Sequence, residues 1–211
     1  MSQYQPEQAS AREDLCRFLA ACFYEPAQEF AQERLFASMS EAAQRIDPDL
    51  AARARALGEA FAAQDLPTLL LDYSRLFLGP VRPLAQPYGS VWLSGRTGLM
   101  QDSTLALLAL YDQGGFAIDD DFCDLPDHVA VELEFLYLLI FTRNQALKAA
   151  NRQDQAAGEL LQKQFLAEHL GAWIGPFAAA VKAGAETAFY RELAEFAERF
   201  VRMEAGTLTV H

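Results

Sequence analysis

The chain is expected to fold as an all-α, compact bundle of about ten helices. Three observations lead there. Nearly every segment repeats its apolar residues at helical spacing. No stretch sustains the strand-like alternation of apolar and polar residues between turn signals. Proline, glycine and aspartate fall where helices start and stop.

Ser10-Ala11-Arg12-Glu13 has the form of a capping box and opens a first helix carrying Leu15, Phe18, Leu19 and Phe23, which Pro26 ends. A second helix covers roughly 28–45 through Leu35, Phe36 and Met39. Asp47-Pro48 reads as an N-cap with proline in the first turn, and Leu50, Ala54, Leu57 and Phe61 follow along one face. Leu66-Pro67 begins a fourth helix through Leu70, Tyr73 and Phe77, closed by Gly79-Pro80. Residues 79–98 form the longest irregular stretch, yet they hold Leu84, Tyr88, Val91, Trp92 and Leu93. Such a loop is expected to pack down and to be ready to bind something.

A helix from about Gly98 to Gln113 stops at Gly114-Gly115. The longest helix, roughly 127–152, is apolar nearly all round between Leu133 and Phe141 and belongs at the centre of the core. Further helices follow near 155–170, 172–183 and 187–204, the last with Tyr190, Leu193, Phe196 and Phe200. With no internal repeat or low-complexity tract, residues 1–211 read as one domain, and 114–126 is the best hinge between an N-terminal and a C-terminal half.

At 211 residues, 52% of them hydrophobic, the chain can bury a core without disulfides. Its 17 basic and 29 acidic residues give a net charge of −12. That balance argues against a nucleic-acid partner and is compatible with a basic peptide or simply with solubility. Cys16, Cys22 and Cys123 fit neither a disulfide framework nor a paired metal motif and read as reduced packing residues. Met1 to Ala9 is polar and lacks a basic head followed by an apolar run. The longest apolar runs, Leu105 to Tyr111 and Phe135 to Phe141, fall far short of the roughly 20 residues that span a bilayer. The expectation is a reduced, cytoplasmic, soluble protein with no membrane span.

The segment 119–128 places Asp119, Asp120, Asp121, Asp124, Asp127 and His128 where a loop turns into the long helix. N-capping accounts for one of Asp124 and Asp127, because a carboxylate accepts the free N–H groups of a first turn. The remaining carboxylates can pair with guanidinium groups by bidentate hydrogen bonds. A solvated loop serves Asp119 to Asp121 equally well. His128 and Glu132 share a helix face with Asp124 or Asp127 nearby, a spacing able to hold a divalent metal, so a metal-dependent all-α hydrolase using Asp124, Asp127, His128 and Glu132 is the alternative reading. Against it stand the lack of a second nearby histidine, of an HExxH motif and of an EF-hand loop. No serine or cysteine sits in a nucleophile elbow, no glycine-rich phosphate loop is present, and Glu132 and Glu134 are two apart on a helix, hence on different faces. Nucleophilic catalysis therefore finds little support in these residues.

Three pieces of sequence carry a family resemblance: Tyr73-Ser74-Arg75-Leu76-Phe77-Leu78-Gly79-Pro80; Pro87-Tyr88-Gly89-Ser90-Val91-Trp92-Leu93 with Asp102-Ser103-Thr104-Leu105-Ala106-Leu107 after it; and Pro126-Asp127-His128 leading into the central helix. With Phe189-Tyr190-Arg191 near the end, most of the chain resembles the TorD/DmsD family of redox-enzyme maturation chaperones. The GSVWL wording and the DSTLAL that follows look like the DmsD branch.

What the resemblance implies is a cytoplasmic chaperone, not an enzyme and without a cofactor of its own, that binds the twin-arginine signal peptide of a molybdenum-containing reductase of the DMSO/TMAO type. It would hold the apo form of that enzyme back from export until its molybdopterin cofactor is inserted. By the same resemblance the peptide-binding residues are Asp127 and His128, with Pro87, Tyr88 and Trp92, then Leu76, Phe77 and Tyr24. The resemblance also leaves open weak binding of guanine nucleotide, for which the sequence has no motif, and either a monomer or a domain-swapped dimer, which a hinge at 114–126 would permit. Carboxylates near the hinge would meet the two arginines, and the aromatic loop would meet the apolar part of the peptide.

Overall fold

The structure is a computed structural model that describes residues 6–79, 82–93, 102–118 and 124–208. Asp119 to Asp121, Cys123 and the expected helix start at Gly98 lie outside the described residues. Within them the chain is all helical, with nine helices of eight residues or more and two short ones.

Helix α1, Pro6–Cys22, begins four residues before the expected capping box and leaves Ser10 inside the helix. Pro6 fills the first-turn slot that suits proline. The glutamate of the box is used elsewhere: Asn144 Nδ2 donates to Glu13 Oε1 at 2.7 Å and to the Ala9 carbonyl at 3.3 Å, tying α1 to the central helix.

The single helix expected over 28–45 is two, α2 (Glu29–Gln32) and α3 (Leu35–Ile46), separated by Arg34 in the left-handed region at φ 56°. Residues 30 and 36 would point about 120° apart on an unbroken helix. The break lets both aromatic rings reach Phe61, Phe30 at 6.0 Å and Phe36 at 4.8 Å between centroids. Tertiary packing thus overrides local propensity here.

Helix α4, Pro48–Ala62, starts as its sequence dictates: the Asp47 carboxylate accepts the Leu50 N–H at 3.0 Å, and Leu50, Ala54, Leu57 and Phe61 are all buried. Helix α5, Leu66–Tyr73, is capped by Asp65 and widens into a π-turn over Ser74–Leu78 that ends at Gly79. Gly79 has φ 58°, and a Cβ there would sit 2.6 Å from the Arg82 carbonyl carbon, so only glycine suits the stop. The π-turn turns Leu76 and Phe77 into the core, and the Leu76 carbonyl accepts the Ala85 N–H at 2.8 Å.

The loop expected to pack down does so, since Ala85, Pro87, Gly89 and Ser90 are buried. It also contains a short helix not foreseen, α6 at Gly89–Leu93. Helix α7, Asp102–Gly114, stops at Gly115 in the left-handed region. The central helix α8, Val129–Lys148, is shorter than expected at both ends and packs on α1 and α9. Helices α9 (Arg152–Glu168), α10 (Leu170–Gly184) and α11 (Ala188–Thr207) complete the bundle, with α11 against α4 and α10. The buried residues form one contiguous core drawn from both halves of the chain, with Phe135, Phe165, Trp173, Phe177, Phe196 and Phe200 fully enclosed. No helix among the described residues is long and apolar enough to cross a membrane.

Candidate functional site

The aromatic loop and the start of α8 are sewn together by backbone. Tyr88 and His128 form an isolated antiparallel bridge, in which the Gly89 N–H donates to the Asp127 carbonyl and the Val129 N–H to the Pro87 carbonyl, each at 2.8 Å. The capping roles differ from those expected of the aspartates. Asp127 Oδ2 accepts the Ser90 N–H at 2.8 Å and so caps α6, while His128 Nδ1 accepts the Ala130 N–H at 3.1 Å and caps α8. An imidazole nitrogen that accepts carries no proton, so the His128 proton resides on Nε2, which faces Asp124 Oδ2 at 3.8 Å.

Around His128 two tyrosines make a cup. Tyr24, just past the end of α1, stacks on the imidazole at 10° and 5.9 Å, and Tyr88 meets it edge-on at 5.6 Å. Each phenol is held by a carboxylate: Tyr24 donates to Glu134 Oε1 at 3.1 Å, and Tyr88 to Asp124 Oδ1 at 2.9 Å. His128 is the buried floor, the tyrosines are half-buried walls, and Asp124, with 35% of its side chain exposed, stands on the rim with Glu134.

The electrostatics follow from this enclosure. Burial pushes the His128 pKa below its ordinary value against the pull of Asp124 and Asp127, which keeps the imidazole neutral at pH 7. Burial raises Glu134, tempered by the hydrogen bond from Tyr24. Burial, with the charges of Asp124 and Glu25 behind it, pushes the neighbouring Tyr73 phenol up to about 12. The cup is aromatic, acidic at its edge and closed to titration by its own histidine near neutrality. It is suited to a guanidinium or ammonium group, which can lie on ring faces and donate hydrogen bonds to the carboxylates together.

Beneath the cup Glu132 is fully buried, and Trp173 Nε1 donates to its two oxygens at 3.1 and 3.2 Å. Burial holds this carboxyl well above the usual carboxylate range. The four residues of the hydrolase alternative therefore do not converge: Glu132 turns inward to Trp173, His128 Nδ1 is spent on the helix cap, and Asp127 on α6. Among the described residues no three His, Cys, Asp or Glu side chains gather as a metal would need.

The structure brings Tyr24, Tyr88, Asp127 and His128 together. Pro87 is buried beside them and acts through its carbonyl. Trp92 is half-buried, donating from Nε1 to the Gln86 carbonyl at 2.8 Å and packing edge-on against Phe177. Leu76 and Phe77 lie in the core, Phe77 against Phe23 and Phe177, and support the loop from below without reaching the surface. Glu134 was not singled out as a partner in the sequence, and its contact with Tyr24 spans 110 residues, which no local spacing signals.

Residues 43–179 match the family described as nitrate reductase delta subunit. A perchlorate reductase assembly chaperone protein of Dechloromonas aromatica is 33% identical over 185 residues, 82% of this chain and 76% of its own length. The chaperone protein TorD of Shewanella loihica is 27% identical over 213 residues, 94% and 93% of the two chains. The chaperone protein TorD of Photobacterium profundum is 31% identical over 141 residues, 66% of this chain, and the match spans 63% of that protein's length, a little under two thirds.

Proposed function

Because this chain belongs to the nitrate reductase delta subunit family, with relatives named as TorD and perchlorate reductase assembly chaperones, we propose that it is a maturation chaperone for a molybdenum-containing reductase and not an enzyme. It binds the twin-arginine signal peptide of the apo reductase and releases it after cofactor insertion, a task done in the cytoplasm. The GSVWL motif makes a DMSO reductase type of client our reading of the branch.

The single observation that carries the proposal is the cup at the junction of α1, α6 and α8. Asp124 Oδ1 already accepts the Tyr88 hydroxyl at 2.9 Å and the Leu125 N–H at 2.7 Å, while among the described residues Oδ2 makes only the long approach to His128. A carboxylate has capacity for about four hydrogen bonds, so Asp124 can take an arginine fork as well. Glu134 provides a second carboxylate across the Tyr24 ring. Asp127 and His128 then serve mainly to hold the loop and the helix start in register, and Pro87, Trp92, Leu76 and Phe77 to hold the loop on the core.

In the same proposal the chain is one domain with 114–126 as a hinge, and mass measurement in solution separates a monomer from a swapped dimer. Guanine nucleotide is expected to bind weakly if at all, and equilibrium dialysis measures it. The test of the function is co-purification: tagged chain expressed with an apo reductase should capture the enzyme bearing its signal peptide and fail to capture one from which the peptide has been removed. Equal capture of both would sink the signal-peptide reading.

A further inference from the structure

Helix α2 is a single turn that contributes no buried residue, and a cleft opens on each side of it. Gln28 and Gln32 line one, of about 310 Å³, together with Leu66 and Leu69 of α5. Phe30 and Arg34 line the other, of about 460 Å³, together with Phe36 and Ala37 of α3. Ala31, Phe61 and Gln64 border both, so the two share one floor beneath the turn. That floor is aromatic, with the Phe61 ring 4.8 Å from Phe36 and 6.0 Å from Phe30. Both volumes fall in the range of sites that bury a ligand.

The charge on these walls is of one sign. Among the described residues no aspartate or glutamate lines either cleft, and Arg34 is the one charged group that does. Its guanidinium makes a single ion pair, a 3.9 Å approach to Glu41, in which the two side chains are 76% and 69% exposed. Such a pair is worth little and yields to a better-placed anion. The left-handed backbone of Arg34, at φ 56°, belongs to the break between α2 and α3 and sets this cation at the edge of the wider cleft. The chain as a whole carries a charge of −12 and repels anions, so an anion held here owes its hold to Arg34.

Shape narrows the class of ligand further. An α-helix with its side chains is about 10–12 Å across and cannot pass around a one-turn helix from one cleft into the other. An unbranched alkyl chain can follow that path.

We propose that the clefts flanking α2 bind a free alkyl carboxylate of the fatty-acid class, its chain lying on Phe61, Phe36 and Leu69 and its carboxylate paired with Arg34. The site is separate from the cup around His128 and does not depend on the signal-peptide reading.

Titration calorimetry on the intact chain tests it, with hexanoate, octanoate and decanoate below micelle-forming concentrations, and with decylamine and decanol as headgroup controls. Affinity should rise about fourfold for each methylene added. Arg34→Asn, which suits the left-handed backbone, should weaken decanoate about tenfold and leave decanol unchanged, and Arg34→Lys should keep most of the binding. Ala31→Trp fills the shared border from an exposed position, so it should fold with an unaltered melting temperature and weaken decanoate and decanol alike. Decylamine or decanol binding as tightly as decanoate, or decanoate binding unchanged in Arg34→Asn, would show that no carboxylate is recognised. Decanoate binding unchanged in Ala31→Trp would place the ligand elsewhere on the chain. Each of these results overturns the proposal, as does the absence of any binding, or binding to phosphatidylglycerol vesicles and not to free decanoate, which would make the face a membrane contact.

Discussion

Tyr88 and His128 are paired across an antiparallel bridge, edge against ring at 5.6 Å, although 40 positions separate them in the chain. This one contact makes the aromatic loop and the start of the central helix a single unit. The two backbone bonds that flank it have no freedom to slip independently, because Asp127 anchors α6 from one side while His128 caps α8 from the other. The residues that the family resemblance assigns to peptide binding are thus largely the frame of the cup, and the two carboxylates at its rim, exposed Asp124 and half-buried Glu134, are the ones we propose to meet the peptide.

The His128 cap sets a pH dependence. Its pKa is lower in the folded chain than in the unfolded one, so the stability it contributes is present above the unfolded value of about 6.5 and is lost as pH falls through the folded value. Protonation of Nδ1 removes the acceptor that Ala130 uses. His128→Ala should cost about 1 kcal/mol at pH 7.5 by denaturant unfolding, and His128→Asn, which can cap without titrating, should recover most of it. Relative to His128→Asn, the wild type should lose stability on acidification below about 6.5; a constant difference across that window contradicts the capping assignment.

Glu132 carries the opposite sign. Its folded pKa is raised, so the stability linked to it is full at low pH and declines as pH rises through the folded value. Glu132→Gln keeps an oxygen for the Trp173 indole and abolishes the titration, so the variant should match or exceed the wild type in melting temperature above neutrality. Gly89→Ala places a Cβ 2.7 Å from Glu132 Oε1 and 2.9 Å from Trp173 Nε1, and should destabilise by about 1–3 kcal/mol.

Asp127 is expected to act through position. Asp127→Ala removes the acceptor of the Ser90 N–H and should loosen the loop, seen as faster amide exchange at residues 87–93 and a loss of about 1–3 kcal/mol. Asp127→Asn retains an acceptor oxygen and should restore both. Loss of peptide binding in Asp127→Asn with normal exchange would instead make the charge itself the contact.

The sequence is informative about helices and less so about who caps whom. The stripe of α4 and its Asp47-Pro48 start are local facts, and the fold keeps them unchanged. Arg34 breaks an apparently continuous helix because two phenylalanines from both sides of it compete for Phe61, a demand that only the packed core imposes. Aspartate at a helix start reads as its cap by propensity, yet Asp127 is drawn to Ser90 across the bridge and leaves α8 to His128. The family motifs draw together Tyr24, Tyr88, Asp127 and His128, which the fold does bring into one cluster, but the cup's Tyr24 to Glu134 contact joins residues 110 apart, and spacing carries no trace of it.

The measurement that reaches the central claim most directly is the affinity of the purified chain for a twin-arginine signal peptide, set against a twin-lysine version, in wild type and in Asp124→Asn. Bidentate recognition at the cup predicts that the wild type favours arginine by about tenfold, and that Asp124→Asn, which leaves the helix caps and the melting temperature in place, erases most of that preference. Equal affinity for the two peptides, or an arginine preference untouched by Asp124→Asn and Glu134→Gln together, would contradict the account.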